Sequence, residues 1–276
     1  MTHKIPFALN HIAALSLDTE GFLDLASRLG CIGVELRNDL IDKKLSSRAF
    51  FDGLEPGTIG EMARSRNLKL LGLSEAYGFN RWSTEMEAKI ALLIEQAVQS
   101  GAETISLIPM NSGANGSKAD RMAQLRDTLS RVKEMLDGTP LVALVEPLGF
   151  VTSSLRLKAE AVEAIEAVDG TSRFKLVHDT FHHHLAGEAD FFPEHTGIVH
   201  ISGVTDPGLE PEEMQDGHRV LVDQNDRLGN LAQIRALIEG GYEGAFSFEP
   251  FSPLVHAATD VSGDLEASMT YICNHL

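Results

Sequence analysis

Glu146, Asp179, His200 and Glu249 each stand at the C-terminal tip of a short apolar run, in LVALVE, FKLVHD, GIVH and GAFSFE. Three carboxylates and one imidazole offer oxygen and nitrogen ligands to a divalent cation, and a carboxylate in such a site can also take a proton from a neighbouring substrate. Ionisable groups of this kind packed at one end of a fold need a cation to offset their repulsion. The spacing therefore predicts one divalent-metal site with catalysis beside it. Ligand type alone does not choose among Mn2+, Mg2+, Co2+ and Zn2+.

Four strand tips converge only if their strands lie parallel in one sheet. Eight runs read as strands, at residues 5–10, 32–36, 68–74, 104–109, 141–146, 174–179, 197–202 and 245–249. Between them lie segments of helical period. In EMEAKIALLIEQAVQSG the residues Ile90, Leu93, Ile94 and Ala97 share a face and Gly101 ends the helix; in ADRMAQLRDTLSRVKEMLDG the stripe is Met122, Leu125, Leu129, Val132 and Leu136. Strands alternating with helices imply a parallel sheet, and eight such units in 276 residues imply a single (β/α)8 TIM barrel over residues 1–276. Alternation along a strand tests convergence. It puts Ala245, Ser247 and Glu249 on one face, His200 with Ile198 and Ser202, and Asp179 with Val177, leaving His178 to the outer layer.

Composition narrows the partner. A formal charge of −17 opposes binding to a polyanion, so the expected partner is a small molecule and not nucleic acid. No apolar stretch approaches the roughly 20 residues of a membrane span, which predicts no membrane association. Two cysteines, Cys31 and Cys273, make no disulfide framework, and MTHKIPFALN lacks the features of a signal peptide, so a cytoplasmic location is expected. A homo-oligomer remains compatible with these features.

Other polar and aromatic groups fall on the functional rim. Arg219 lies in the connection from Gly203 to Asn230, long enough to be a lid or binding loop, and is expected to contact substrate; the alternative is a surface pair with Asp216 or Asp223. His11 after strand one and Glu35 at the end of strand two are further substrate contacts, although Glu35 and Arg37 could form their own network. Glu75 and Asn111 follow strands three and four. Trp82 and Phe79, in YGFNRWS, are placed to wall the pocket. NSGANGS reads as a flexible fourth loop and not as a phosphate cradle.

The residues VEP around Glu146, D-x-x-H from Asp179 to His182, VHIS around His200 and SFEPF around Glu249 carry a resemblance. In order and spacing the chain resembles the xylose isomerase-like TIM-barrel superfamily of sugar isomerases and epimerases. Within it, HRVLVDQNDRLGN followed by SFEPF resembles proteins assigned as inosose (2-keto-myo-inositol) isomerases. The resemblance implies that Glu146, Asp179, His200 and Glu249 hold one metal ion. It makes Glu146 and Glu249 acid/base groups as well as ligands, and His182 a contact to a substrate hydroxyl. The implied chemistry removes a proton beside a carbonyl to give an enediolate, then returns it to the neighbouring carbon. Ketose 3-epimerase, hydroxypyruvate isomerase and inosose dehydratase are alternatives with the same first step. A metal-dependent abasic-site endonuclease is the rival from another class, disfavoured by the charge and by early strand ends that offer Glu35, Glu75 and Asn111, with His11 the only imidazole.

Overall fold

Eight parallel strands close into a barrel in sequence order, β1 (Phe7–Asn10), β2 (Gly33–Arg37), β3 (Lys69–Tyr77), β4 (Thr104–Ile108), β5 (Val142–Val145), β6 (Phe174–Asp179), β7 (Thr196–Ile201) and β8 (Phe246–Phe248). The closing pair sets Phe7 beside Phe246 and Ala8 beside Ser247. This computed structural model describes residues 5–113 and 116–276. The first four residues of the segment read for a leader, and Ala114 and Asn115 in the NSGANGS loop, lie outside the described residues.

Nine α-helices lie among the described residues: α1 (Thr19–Arg28), α2 (Pro56–Ser65), α3 (Thr84–Ser100), α4 (Lys118–Met135), α5 (Lys158–Ala167), α6 (Thr180–Ala186), α7 (Asn230–Glu239), α8 (Pro253–His256) and α9 (Val261–His275). The stripes expected on α3 and α4 are buried, each fully buried Leu or Ile contributing about 2 kcal/mol by leaving water. Gly101 takes the left-handed conformation at φ 74°, open to glycine without strain, and so stops α3. No described helix is long and apolar enough to cross a membrane.

Inside the barrel, Ala8, Leu71, Leu144, Val177, Ile198 and Ala245 form one apolar cluster. All of them but Leu71, which lies at a register shift between β2 and β3, are two or four positions before Asn10, Glu146, Asp179, His200 and Glu249, so strand alternation carries these polar groups to the same axis at the C-terminal mouth. Phe246 and Phe248 instead join the large cluster between sheet and helices, as parity requires.

The element expectations differ from the structure in a few places. Strand β3 continues to Tyr77, three residues beyond its expected end, with a register shift against β4 between Leu73 and Ala76. That bulge turns Glu75 toward the barrel mouth. Helix α6 has only seven residues and begins directly after β6; a run of three histidines without an apolar stripe gives no helical period to read.

Candidate metal centre and substrate cavity

At the mouth, Glu146, Asp179, His200 and Glu249 each present one ligand atom within 4.8 Å of the others, and all four residues are buried. A cation bonding each atom at about 2 to 2.5 Å would draw that spread in only slightly. Among the described residues no second group of three or more metal-ligating side chains converges in this way.

His200 shows how the set is oriented. Its Nε2 lies 3.1 and 3.2 Å from the two carboxylate oxygens of Glu35, which itself accepts from Ser247 Oγ at 2.6 Å. Burial alone would lower the ring's pKa, but the carboxylates, Glu249 and Glu35 foremost, outweigh it and hold the pKa well above its ordinary value, whereas with a cation bound, donation from Nε2–H to Glu35 would leave the lone pair on Nδ1. That atom faces Glu249 Oε2 at 3.2 Å, Glu146 Oε1 at 3.9 Å and Asp179 Oδ2 at 4.0 Å. Even so, Nδ1 is buried without a hydrogen-bond partner, the close Glu249 contact lacking hydrogen-bond geometry. A buried ring nitrogen without a hydrogen-bond partner, turned toward three carboxylates, fits a metal ligand.

Asp179 divides its two oxygens. Oδ1 accepts from the backbone N–H groups of Phe181 at 2.8 Å and His182 at 3.0 Å, capping α6, while Oδ2 turns to the centre. The cap also fixes His182, whose Nε2 lies 3.8 Å from Glu146 Oε1 and whose Nδ1 is buried without a partner. Close packing of the β5–α5 loop on α6 holds this geometry: a side chain at Gly149 would sit 2.1 Å from the His182 carbonyl oxygen.

Two arginines complete the centre. Arg219 Nη2 donates to Asp179 Oδ2 at 2.6 Å and Glu249 Oε2 at 2.9 Å, its Nε to Ser202 Oγ at 3.0 Å and its Nη1 to Asp216 Oδ1 at 3.2 Å. The guanidinium also lies over the Phe181 and Phe251 rings. An antiparallel bridge between Gly203 and Val220 anchors the long loop beside it. From β2, Arg37 donates Nη1 to Glu249 Oε1 at 2.6 Å and pairs through Nε and Nη2 with Asp39. Asn10 Nδ2 adds a bond to Glu249 Oε1 at 3.2 Å. Burial alone would raise the Glu249 pKa, but His200, Arg219 and Arg37 outweigh it and hold the carboxyl well below its usual range.

Above the centre opens a cavity of about 400 Å³, walled by Glu146, Glu249, His182 and Arg219 and, from β2 and β3, by Arg37 and Glu75. Glu75 is pushed up by burial, which Lys43 at 3.8 Å and Arg37 at 3.5 Å only partly offset.

Several sequence expectations are corrected by placement. Glu35 does not line the cavity: it is fully buried below His200, because it sits one inward position lower on β2 than Arg37, and the two residues serve different partners. His11 begins a 3-10 turn immediately after β1, which swings its ring off the axis to stack on Phe22 at 4.4 Å and approach the Leu17 carbonyl oxygen. Trp82 lies under the Arg131 guanidinium on the α3–α4 flank, and Phe79 is core. Arg219 is no surface pair, although Asp216 is one of its partners. Phe150 and Phe251, missed in the sequence, wall the cavity; each comes from a loop where no periodicity marks its direction.

The family model described as xylose isomerase-like TIM barrel matches residues 23–271. Among solved structures, a xylose isomerase domain containing protein from Salmonella typhimurium LT2 is 30% identical, with a TM-score of 0.89 over 99% of this chain and 98% of that one. The IolI protein, whose structure has a bound zinc atom, superposes with a TM-score of 0.85 at 18% identity over 99% of both chains. D-psicose 3-epimerase from Clostridium cellulolyticum H10, solved with D-tagatose, gives 0.74 at 14% identity over 99% of both. No curated protein matches the sequence significantly.

Proposed function

Because the chain belongs to the xylose isomerase-like TIM-barrel family, we propose that it is a divalent-metal-dependent isomerase or epimerase of a small keto-polyol, with 2-keto-myo-inositol the favoured substrate. The observation that carries the reading is the unpartnered Nδ1 of His200, turned toward three carboxylates beneath an open cavity. A divalent ion held by Glu146, Asp179, His200 and Glu249 would act as a Lewis acid toward negative charge developing on substrate oxygens.

The two acid/base carboxylates differ. Among the described residues the Glu146 carboxylate has only the long contacts to His182 and His200, so it is free to take the proton from the carbon beside the carbonyl. Glu249 is gripped by Arg37, Asn10 and Arg219 and is held ionised, ready to accept or return a proton on its own side of the substrate. Return to the neighbouring carbon moves the keto group. Return to the opposite face of the same carbon inverts the centre. His182 and Arg219 hold substrate hydroxyls, and the bulk of Phe150 and Phe251 shields the reacting carbons from water.

NMR of a keto-polyol panel in deuterated water tests the reading. The expected result is an isomeric product of unchanged mass apart from deuterium uptake. Loss of one water would move the reaction to a dehydratase. Turnover of ketohexoses or hydroxypyruvate, but not inososes, would change the substrate and keep the class. No turnover of any keto-polyol, with cleavage of abasic DNA, would overturn the proposal.

A further inference from the structure

We infer that Glu75 is a specificity-determining residue of the same cavity: its carboxylate accepts two neighbouring hydroxyl groups of the substrate, on carbons away from those held at Glu146, Asp179, His200 and Glu249. This deepens the reading of the cavity as a keto-polyol site and rests on it. Glu75 stands near the end of β3, across the barrel from β7, which delivers His200. Its backbone is fixed on both sides. Past the pairing of Arg37 with Ser74, the Asn38 N–H donates to the Ser74 carbonyl oxygen at 2.7 Å. The Asn38 side chain then accepts from the Glu75 N–H at 2.8 Å and donates to the Glu75 carbonyl oxygen at 3.4 Å. Together with the β3 bulge, this clamp holds the buried Glu75 side chain at the cavity wall.

What singles out Glu75 is unused acceptor capacity. The buried carboxylates that line the cavity are Asp39, Glu75, Glu146 and Glu249. Asp39 accepts from Arg37 at 2.9 and 2.7 Å and meets Lys43 at 2.7 Å, and Glu249 accepts from Arg37, Asn10 and Arg219. Glu146 is taken by the proton transfer assigned above. Among the described residues the Glu75 carboxylate makes no hydrogen bond: Arg37 Nη2 stands 3.5 Å from its Oε2 and Lys43 Nζ 3.8 Å from its Oε1. Both separations exceed the roughly 2.7 to 3.2 Å of a normal N–H···O bond, and both cations make their closer contacts to Asp39. Burial pushes the Glu75 carboxyl up because cations at that range only partly replace the water it has lost. A buried acceptor without donors is costly, and hydroxyl groups of a ligand supply the missing donors. The two oxygens of one carboxylate are spaced for hydroxyls on adjacent carbons. The substrate is accordingly a keto-polyol with adjacent hydroxyls beyond its reacting carbons, and a short keto compound lacking them leaves Glu75 unfilled.

Equilibrium dialysis of the Mn2+-loaded protein against 2-keto-myo-inositol and D-fructose, each compared with its monodeoxy analogues, tests the contact. Removing a hydroxyl that Glu75 accepts is expected to weaken binding about 10-fold to 100-fold, the range of a hydrogen bond to a charged group. In Glu75→Gln, which keeps the size and loses the charge, that penalty is expected to fall to about 3-fold, while the penalties at other positions and the bound metal stay as in the native protein. Lys43→Met removes a charge beside Glu75 and no acceptor, so the penalty is expected to survive it. Penalties that are the same at every position in native and Glu75→Gln protein, or an equal fall in Lys43→Met, would overturn the contact. A Glu75-dependent penalty with no deuterium uptake by any probe would support the contact while refuting the isomerase reading. Deuterium uptake with penalties indifferent to Glu75 would do the reverse, and no measurable binding of either probe would overturn both.

Discussion

Neighbouring residues of β6 lead into two buried polar clusters on opposite faces of one strand. Asp179 points into the barrel mouth. His178 points outward, beneath α5 and α7, where its Nδ1 meets Lys158 Nζ at 3.0 Å and its Nε2 meets Gln233 Oε1 at 2.9 Å. Gln233 in turn donates to the carbonyl oxygens of Thr180 and Leu228, and His183 and Phe191 pack on the His178 ring. Burial drives the outer cluster toward neutrality: His178 lies well below its ordinary value, His183 falls to about 3 and Lys158 to about 8. The inner cluster keeps its charges. There burial of Arg37, Arg219, Glu249 and His200 is outweighed by opposite charges, and His200 Nδ1 faces the carboxylates without a hydrogen-bond partner. Burial of polar groups is thus common to both faces. What separates a candidate catalytic site from a structural brace is retained charge beside a cavity, with an unsatisfied ligand atom among the charges.

The largest effect that can break this contrast is expected at Asp179. Asp179→Ala removes an oxygen from the metal set and the cap of α6 together, the cap being worth about 1 kcal/mol. Asp179→Asn retains an oxygen to cap the helix and loses the charge. Both variants are expected to lose bound metal by elemental analysis and to fall at least about 1,000-fold in kcat/KM, with only the alanine variant reduced in thermal stability by the missing cap. Unchanged metal content in both would remove Asp179 from the site.

Arg219 sharpens the contrast inside the inner cluster, since its guanidinium touches oxygens of the candidate ligands Asp179 and Glu249 without being one of the set. Arg219→Gln is expected to raise KM by about 10-fold to 100-fold while the protein still binds one metal ion, because the charge that disappears is a competitor for the same carboxylates. Metal loss equal to that of Asp179→Asn would place Arg219 among the supports of the metal site and not among the substrate contacts.

Glu35 carries a subtler role. Glu35→Gln keeps the size of the side chain and weakens the acceptor for His200 Nε2–H, so metal affinity is expected to drop about 10-fold, measured by competition with a chelator. Its fate also shows how far the sequence could be read. Residues at the tips of apolar runs were legible as a converging set because strand alternation and barrel closure fix where a tip points. The strands appeared where β-rich runs stood between helical periods, and the α3 and α4 stripes proved buried. Glu35 was legible as inward-facing, yet its depth was not, because two inward positions on β2 serve different layers and the partner at each layer comes from another strand. His11 was misplaced by a 3-10 turn, and Trp82 by a loop, where no period constrains direction. The bulge that turns Glu75 to the mouth arises from β3–β4 pairing and leaves no trace in either run alone.

The smallest effect concerns the outer cluster and is read from pH. Lys158 has an ordinary pKa of 10.5 and is lowered to about 8, chiefly by burial, with Glu188 and Asp190 opposing. Below about pH 8 folded and unfolded chains both hold the proton, and the cost of burying the ammonium is fully present. Between about pH 8 and 10.5 the unfolded chain keeps a proton that the folded chain has lost, so this group makes stability rise with pH across that window. The shift corresponds to about 3 kcal/mol at most, in order of magnitude. Lys158→Met keeps the stem against Phe191 and Phe192 but leaves His178 Nδ1 and the Phe191 carbonyl oxygen without their donor, so its stability at neutral pH is expected to stay within about 2 kcal/mol of native. Other titrating groups are shared by the two proteins, so the difference between their urea unfolding free energies isolates Lys158. That difference is expected to move in favour of the native protein as pH climbs from about 8 to 10.5. Parallel curves through the window would mean that Lys158 remains fully charged when buried, and the outer cluster would then be no more neutral than the inner one.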